Sequence, residues 1–330
     1  MEHRWTHPES QVAGQDGTGT PPGGRPGPVQ APGGPGGPGA GAGDVPRPAA
    51  GAEGHHGGQA EGQAHPTNPA PYTLEGWFIL HDFRRFDWRR WKRLEPVERV
   101  RIAREAARFF RDAAAARDSG EGTSALYRVV GHKGDLLLLH FRPTLDALNR
   151  LETAFAATEL ADFTEPAYSY VSVTELSFYR SGPGGPDRDV TGDPFVRARL
   201  YPQIPATRHV CFYPMNKKRS GQDNWYMLPF AERGRLMHSH GLIGRKYAGR
   251  VTQIISGSVG LDDWEWGVTL FADDPVDFKR VVYEMRFDEA SARYGEFGPF
   301  YVGIRTEPDD LVAWLCGEAY GESPGRAAAQ

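Results

Sequence analysis

The sequence predicts an α+β fold of two tandem ferredoxin-like repeats, each β-α-β-β-α-β, behind a disordered N-terminal arm, with antiparallel sheets that pack face to face or curl into a barrel. A break in composition, the order of the periodic runs and the recurrence of that order predict it. Of the 41 Gly and 27 Pro residues, 18 and 12 fall in the first 70 positions, where Trp5 is the only aromatic residue and Val12, Val29 and Val45 are the only aliphatics beyond alanine. That is too little apolar surface to offset the entropy of ordering. From Tyr72 onward the chain carries 37 of its 38 aromatic residues, enough for a sizeable core or for the walls of a flat ligand. The expected divisions are an arm (1–70), a first repeat (71–190), a second repeat (191–308) and a tail (309–330).

The first repeat opens with the strand-like run YTLEGWFILHDF. A helix follows from Pro96 through VERVRIAREAARFFRDAAAA, with apolar residues at Val100, Ile102, Ala106 and Phe110. SALYRVV and DLLLLHF read as strands joined by a short glycine-flanked turn. A helix over about Leu145 to Thr158 and a strand at AYSYVSVTEL complete the unit. The run RSGPGGPDRDVTGD, from Arg180 to Asp193, is a linker by its turn residues. After it the order returns as strand RHVCFYPM, helix FAERGRLMHSHGLIGRKYA, strands VTQIISG and WEWGVTLF, helix VDFKRVVYEMR and strand FYVGI. Phe141 and Phe271 occupy matching places 130 residues apart, and Pro166 and Pro299 do so 133 apart. The tail begins acidic, with a short packed segment expected around Val312 to Leu315.

Composition removes several function classes. A formal net charge of −4 does not suggest a nucleic-acid binder. Two cysteines, Cys211 and Cys316, make neither a metal quartet nor a disulfide framework, which fits a reducing compartment. The N-terminal MEHRWTHPES lacks a signal-peptide core, and the longest aliphatic run, Leu136 to Leu139, is far short of the roughly 20 residues a bilayer span needs. The chain is therefore expected to be cytoplasmic, without a membrane or nucleic-acid partner. Walker loop, H-E-x-x-H, nucleophile elbow and G-x-G-x-x-G are all missing from the sequence.

Chemistry concentrates in the second repeat. In RHVCFYPMNKKR a period of two puts Cys211, Tyr213, Met215 and Lys217 on one face and Phe212, Pro214 and Asn216 on the other. The simpler alternative is an edge strand, because Pro214 cannot donate to a ladder. In GRLMHSHGLIGRKYAG, His238 and His240 are two apart and cannot form an i, i+4 zinc pair. Leu236, Met237, His240, Gly241 and Gly244 share a helical face, so His240 is either a core histidine or an axial ligand to a haem-type iron beside small residues. Gln253, 13 residues on, sits in a strand that can face the same cavity or solvent. Arg199, Tyr201, Ser291 and Arg293 are donors of the kind that hold carboxylates, with surface placement as the alternative.

The segments Y-P-M-N-K-K-R, D-N-W-Y-M-L-P, M-H-S-H-G-x-x-G-R-K-Y-A-G, W-E-W-G-V-T-L-F-A-D-D and Y-E-M-R-F-D-E-A-S-A-R-Y-G-E-F-G together resemble the coproheme decarboxylases of the chlorite dismutase superfamily. The resemblance runs from about Tyr72 to Arg305 and is densest from Arg197 to Gly303. It implies a dimeric α/β-barrel-type subunit, usually assembled as a homopentamer. It also implies that His240 is the axial haem iron ligand and that Tyr213 is the tyrosine whose radical attacks a propionate. Lys217 is implied to assist the second decarboxylation, while Arg199, Tyr201, Lys217 and Ser291 hold propionates. Gln253 stands where chlorite dismutases carry a distal arginine, a departure that favours the decarboxylase. The implied reaction turns Fe-coproporphyrin III (coproheme) into haem b with hydrogen peroxide, so substrate and redox centre are one molecule. Transient contact with a coproporphyrin ferrochelatase goes with it. The alternatives are a haem carrier or sensor without turnover and a chlorite dismutase-like peroxidase.

Overall fold

The structure, a computed structural model, describes residues 68–179, 181 and 184–317. The expected arm, apart from its last three residues, and the end of the tail lie outside the described residues. The first repeat comprises β1 (Thr73–Phe86), α1 (Trp88–Trp91), α2 (Pro96–Ala114), β2 (Thr123–Val130), β3 (Leu136–Arg142), α3 (Leu145–Ala156) and β4 (Thr164–Ser177). After the linker come α4 (Pro194–Leu200), β5 (His209–Lys217), α5 (Phe230–Arg245), β6 (Thr252–Gly257), β7 (Trp266–Ala272), α6 (Val276–Met285), α7 (Glu289–Ala292), β8 (Gly295–Phe297), β9 (Tyr301–Thr306) and α8 (Pro308–Cys316). The helix α8 is longer than the short segment expected in the tail, and it seals the first repeat with Leu311 and Leu315.

Each repeat has the ferredoxin-like strand order, β4-β1-β3-β2 in the first and β9-β5-β7-β6 in the second. Pairing of β2 with β9 and of β4 with β6 joins them, so the sheets close into one antiparallel barrel rather than stacking face to face. Inward side chains from both repeats, among them Ile79, Phe83, Tyr127, Leu139, Tyr170, Phe212 and Phe271, fill the barrel as a single core. The outward faces carry the helices. Over the first repeat, α2 buries Ile102, Ala103, Ala106, Ala107, Phe110 and Ala113 against Leu126, Leu136 and Leu138. Over the second, α5 spans 16 residues and buries only Arg233 and Leu236. One helix packs down on its sheet while its counterpart packs on α6 and α7.

Candidate functional site

Strand β5 is central, not the edge strand that Pro214 made the simpler alternative. It pairs with β7 along one side and with β9 and then β8 along the other. The β9 ladder ends at Phe212 and the β8 ladder begins at Met215, so the residue without an N–H falls in the gap. There the Pro214 carbonyl oxygen accepts from Gly298 N at 2.9 Å. The alternation holds: Phe212 enters the barrel core, whereas Cys211, Tyr213 and Met215 face the helices with Val268, Leu270, Phe278 and Met285. The Tyr213 ring stacks on Phe300 at 4.3 Å and lies beside Phe297, whose face carries the Arg286 guanidinium at 3.7 Å. Burial pushes the Tyr213 phenol well above its ordinary value, and the charge of Arg286 opposes this only in part.

On the same layer, α5 presents His240 to the start of α7. The carboxylate of Asp288, whose side chain is 2% exposed, accepts from His240 Nδ1 at 2.8 Å. That bond fixes the tautomer and leaves the Nε2 lone pair for a ligand. A quarter of the His240 side chain is exposed, and burial lowers its pKa, with the Asp288 hydrogen bond acting in the opposite direction. The imidazole is thus neutral near pH 7. Ser291 is buried with its Oγ 3.5 Å from His240 Nδ1, and its backbone N donates to Asp288 Oδ2. Lys217, at the end of β5, donates from Nζ to the Ala290 carbonyl oxygen at 3.2 Å and stands 4.4 Å over the Trp225 ring. Burial pulls its ammonium down to about 8 against the attraction of Asp288 and Glu265.

The space around α5 is shaped by its glycines. A Cβ built on Gly241, next to His240, would meet nothing within 4 Å, while one on Gly244 would touch Met285 and come within 3.8 Å of Gln253 Oε1. Gln253 on β6 therefore faces α5 one turn beyond His240. Among the described residues no three His, Cys, Asp or Glu side chains converge as ligands for a bare metal ion. A single imidazole, braced by a carboxylate beside open space, suits an iron that brings its own equatorial ligands. The donor set fits a haem-type group.

His240, Lys217 and Ser291 are thus gathered around Asp288, with Tyr213 on the same face of β5 and Gln253 across from α5. Among the described residues no hydrogen bond or ring contact joins Arg199 or Tyr201 to this cluster. Arg199 is exposed on α4, and Tyr201 packs edge-on against Trp77 at 5.1 Å. Arg293 is exposed and paired with Asp223 and Glu289. Asp288, Arg286 and Trp225 are site residues that sequence reasoning missed. Asp288 carried one local signal, an acidic residue three before Ser291 at a helix start, but its pairing with His240 depends on the fold.

A family model described as chlorite dismutase matches residues 99–306. A solved structure of a novel heme-binding protein from Thermus thermophilus is 49% identical, covers 76% of this chain and 98% of its own, and superposes with a TM-score of 0.72. Chlorite dismutase from Candidatus Nitrospira defluvii, in a mutant with arginine replaced by glutamate, is 18% identical and covers 74% of this chain and 97% of that one at a TM-score of 0.59. A double mutant of the same enzyme gives 19% identity, 74% and 97% coverage and a TM-score of 0.60. At that identity the two mutants speak for the fold alone.

Proposed function

Since the chain belongs to the chlorite dismutase family, we propose that it binds an iron porphyrin through His240 and, with hydrogen peroxide, oxidatively decarboxylates two propionates of coproheme to give haem b. The observation that carries this reading is one layer, built of β5, α5 and the start of α7, that offers a buried tyrosine, a buried lysine and a carboxylate-braced histidine. Bound iron porphyrin would supply the oxidising power when peroxide reaches it. Tyr213, kept protonated by burial, gives up its phenolic hydrogen, and its oxygen then takes a hydrogen atom from the propionate β-carbon. Loss of carbon dioxide and one further electron leaves a vinyl group. For each vinyl formed, one peroxide and one proton are consumed and two waters result.

Lys217, largely charged below pH 8, draws a propionate to the Tyr213 side of the layer. The Asp288 carboxylate holds His240 in the tautomer that leaves Nε2 as the ligand atom. Ser291 offers a hydroxyl at the same end, Gln253 keeps the opposing wall uncharged, and Arg199 and Tyr201 serve outer propionates. A homopentamer and transient contact with a coproporphyrin ferrochelatase complete the proposal.

A carrier without turnover is the second reading, favoured by the relative described as heme-binding. Anaerobic loading with ferric coproporphyrin III followed by peroxide titration, with products separated by mass, decides between them. Stepwise loss of two carboxyl groups is the expected result. Tight binding with bleaching and no loss of carboxyl groups would leave the carrier.

A further inference from the structure

Helix α5 starts without a side-chain cap: its N-cap is Pro229, whose side chain offers no acceptor. Its first two turns bury Leu236 and, less expectedly for a charged side chain, Arg233, 4% exposed. Arg233 and His240 are seven residues apart, so they share one face of the helix about 10 Å apart along its axis. A guanidinium taken out of water needs partners for its N–H groups, and those of Arg233 are met at Nη2 while its buried Nε has none among the described residues. The Nη2 of Arg233 donates to the Asn68 Oδ1 at 3.1 Å and to the Pro69 carbonyl oxygen, and the guanidinium lies 5.7 Å over the Phe230 ring. Asn68 uses its other end as well. Its Nδ2 donates to the carbonyl oxygens of Tyr226 at 2.7 Å and Leu228 at 2.5 Å.

Tyr226 belongs to the 3-10 turn Trp225–Met227, and the Trp225 ring of that turn faces the Lys217 ammonium. Asn68 thus joins the turn that backs Lys217 to the helix that carries His240. Its 158-residue separation from Tyr226 makes this a closure that neither segment makes alone. We propose that Asn68 and Arg233 form a clip in which Asn68 is a positioning residue for both the Trp225 turn and the first half of α5. The clip itself stands on the contacts named; its consequence for iron ligation rests on the function proposed above.

The test uses the two ends of Asn68 separately. Asn68→Ala removes donor and acceptor; Asn68→Asp keeps the acceptor facing Arg233 and loses the donor to the turn. Hydrogen–deuterium exchange on the full chain without porphyrin, resolved over residues 224–240, reads both, and ferric coproporphyrin titration reads the consequence. In Asn68→Ala the amides of 226–236 exchange at least tenfold faster, while those of β1 and β3 are unchanged. In Asn68→Asp the turn amides speed up and those from Arg233 onward stay protected, a split that general destabilisation would not give. Removal of residues 1–67 leaves exchange as in the full chain, and removal of 1–70, which also takes away the Pro69 carbonyl, speeds it at least as much as Asn68→Ala. Wild-type exchange in Asn68→Ala, or identical patterns in the Ala and Asp variants, overturns the clip. A wild-type chain that takes up no porphyrin would count against the proposed function, and the exchange comparison would still decide the clip.

Discussion

One carboxylate, that of Asp288, caps α7 by accepting from Ser291 N and braces His240 through Nδ1. Removal of such a partner typically lowers metal affinity about 10–100-fold, so Asp288→Ala is expected to weaken iron porphyrin binding by that factor in a spectroscopic titration. Asp288→Asn, which can still accept, should lose less. Tyr213→Phe keeps the ring against Phe300 but has no oxidisable O–H; it should bind coproheme normally and yield no vinyl product by mass. Lys217 makes a pH prediction. A lysine whose folded pKa lies near 8, below its free value of 10.5, burdens the fold with a buried charge at lower pH. The burden lifts as pH rises from about 8 to about 10.5, because the unfolded chain then holds the extra proton. Full relief amounts to about 3 kcal/mol. Denaturant melts of wild type and Lys217→Met should show stabilities that run parallel with pH below 8, with the wild type gaining on the variant above it. The types and the face of Tyr213 and Lys217 were legible in the sequence from period-two alternation. Asp288 was not, because its role depends on bringing positions 240 and 288 together.

At the scale of the element, β5 shows how a local rule can mislead. Pro214 argued for an edge, and the strand is central because two partner strands share one side and leave a gap where the proline lies. Helix α5 shows the opposite case. Its run of small residues beside a histidine was readable as an uncommitted face, and the structure leaves that face underpacked where α2 is fully packed. Gly241 makes the difference testable. A side chain there meets open space, and glycine in a helix interior costs about 1 kcal/mol relative to good helix formers. Gly241→Leu should therefore raise apo stability by up to about 1 kcal/mol in a denaturant melt and at the same time abolish porphyrin uptake. Unchanged uptake in the variant would place the cavity elsewhere.

For the whole molecule, duplication was legible because both repeats run through the same order of strands and helices at nearly constant offset. Closure was not, since period-two patterns say which face is buried but not whether β2 meets β9 or β4 meets β6. The closed barrel gives the repeats one core: Phe83 and Tyr127 from the first pack with Phe212 and Tyr301 from the second. Residues 71–190 alone would expose β2 and β4 as open edges along with half of that core, and are expected to be unfolded or aggregated by circular dichroism and light scattering. Native strand signal from that fragment would contradict a shared core. Whether α5 carries the iron ligand of a haem-type site is decided by titrating ferric coproporphyrin III into wild type and His240→Ala while recording the Soret band. Saturable binding with a histidine-ligated spectrum is expected in wild type, and loss of that spectrum in the variant; identical spectra from the two would rule out His240 as the iron ligand.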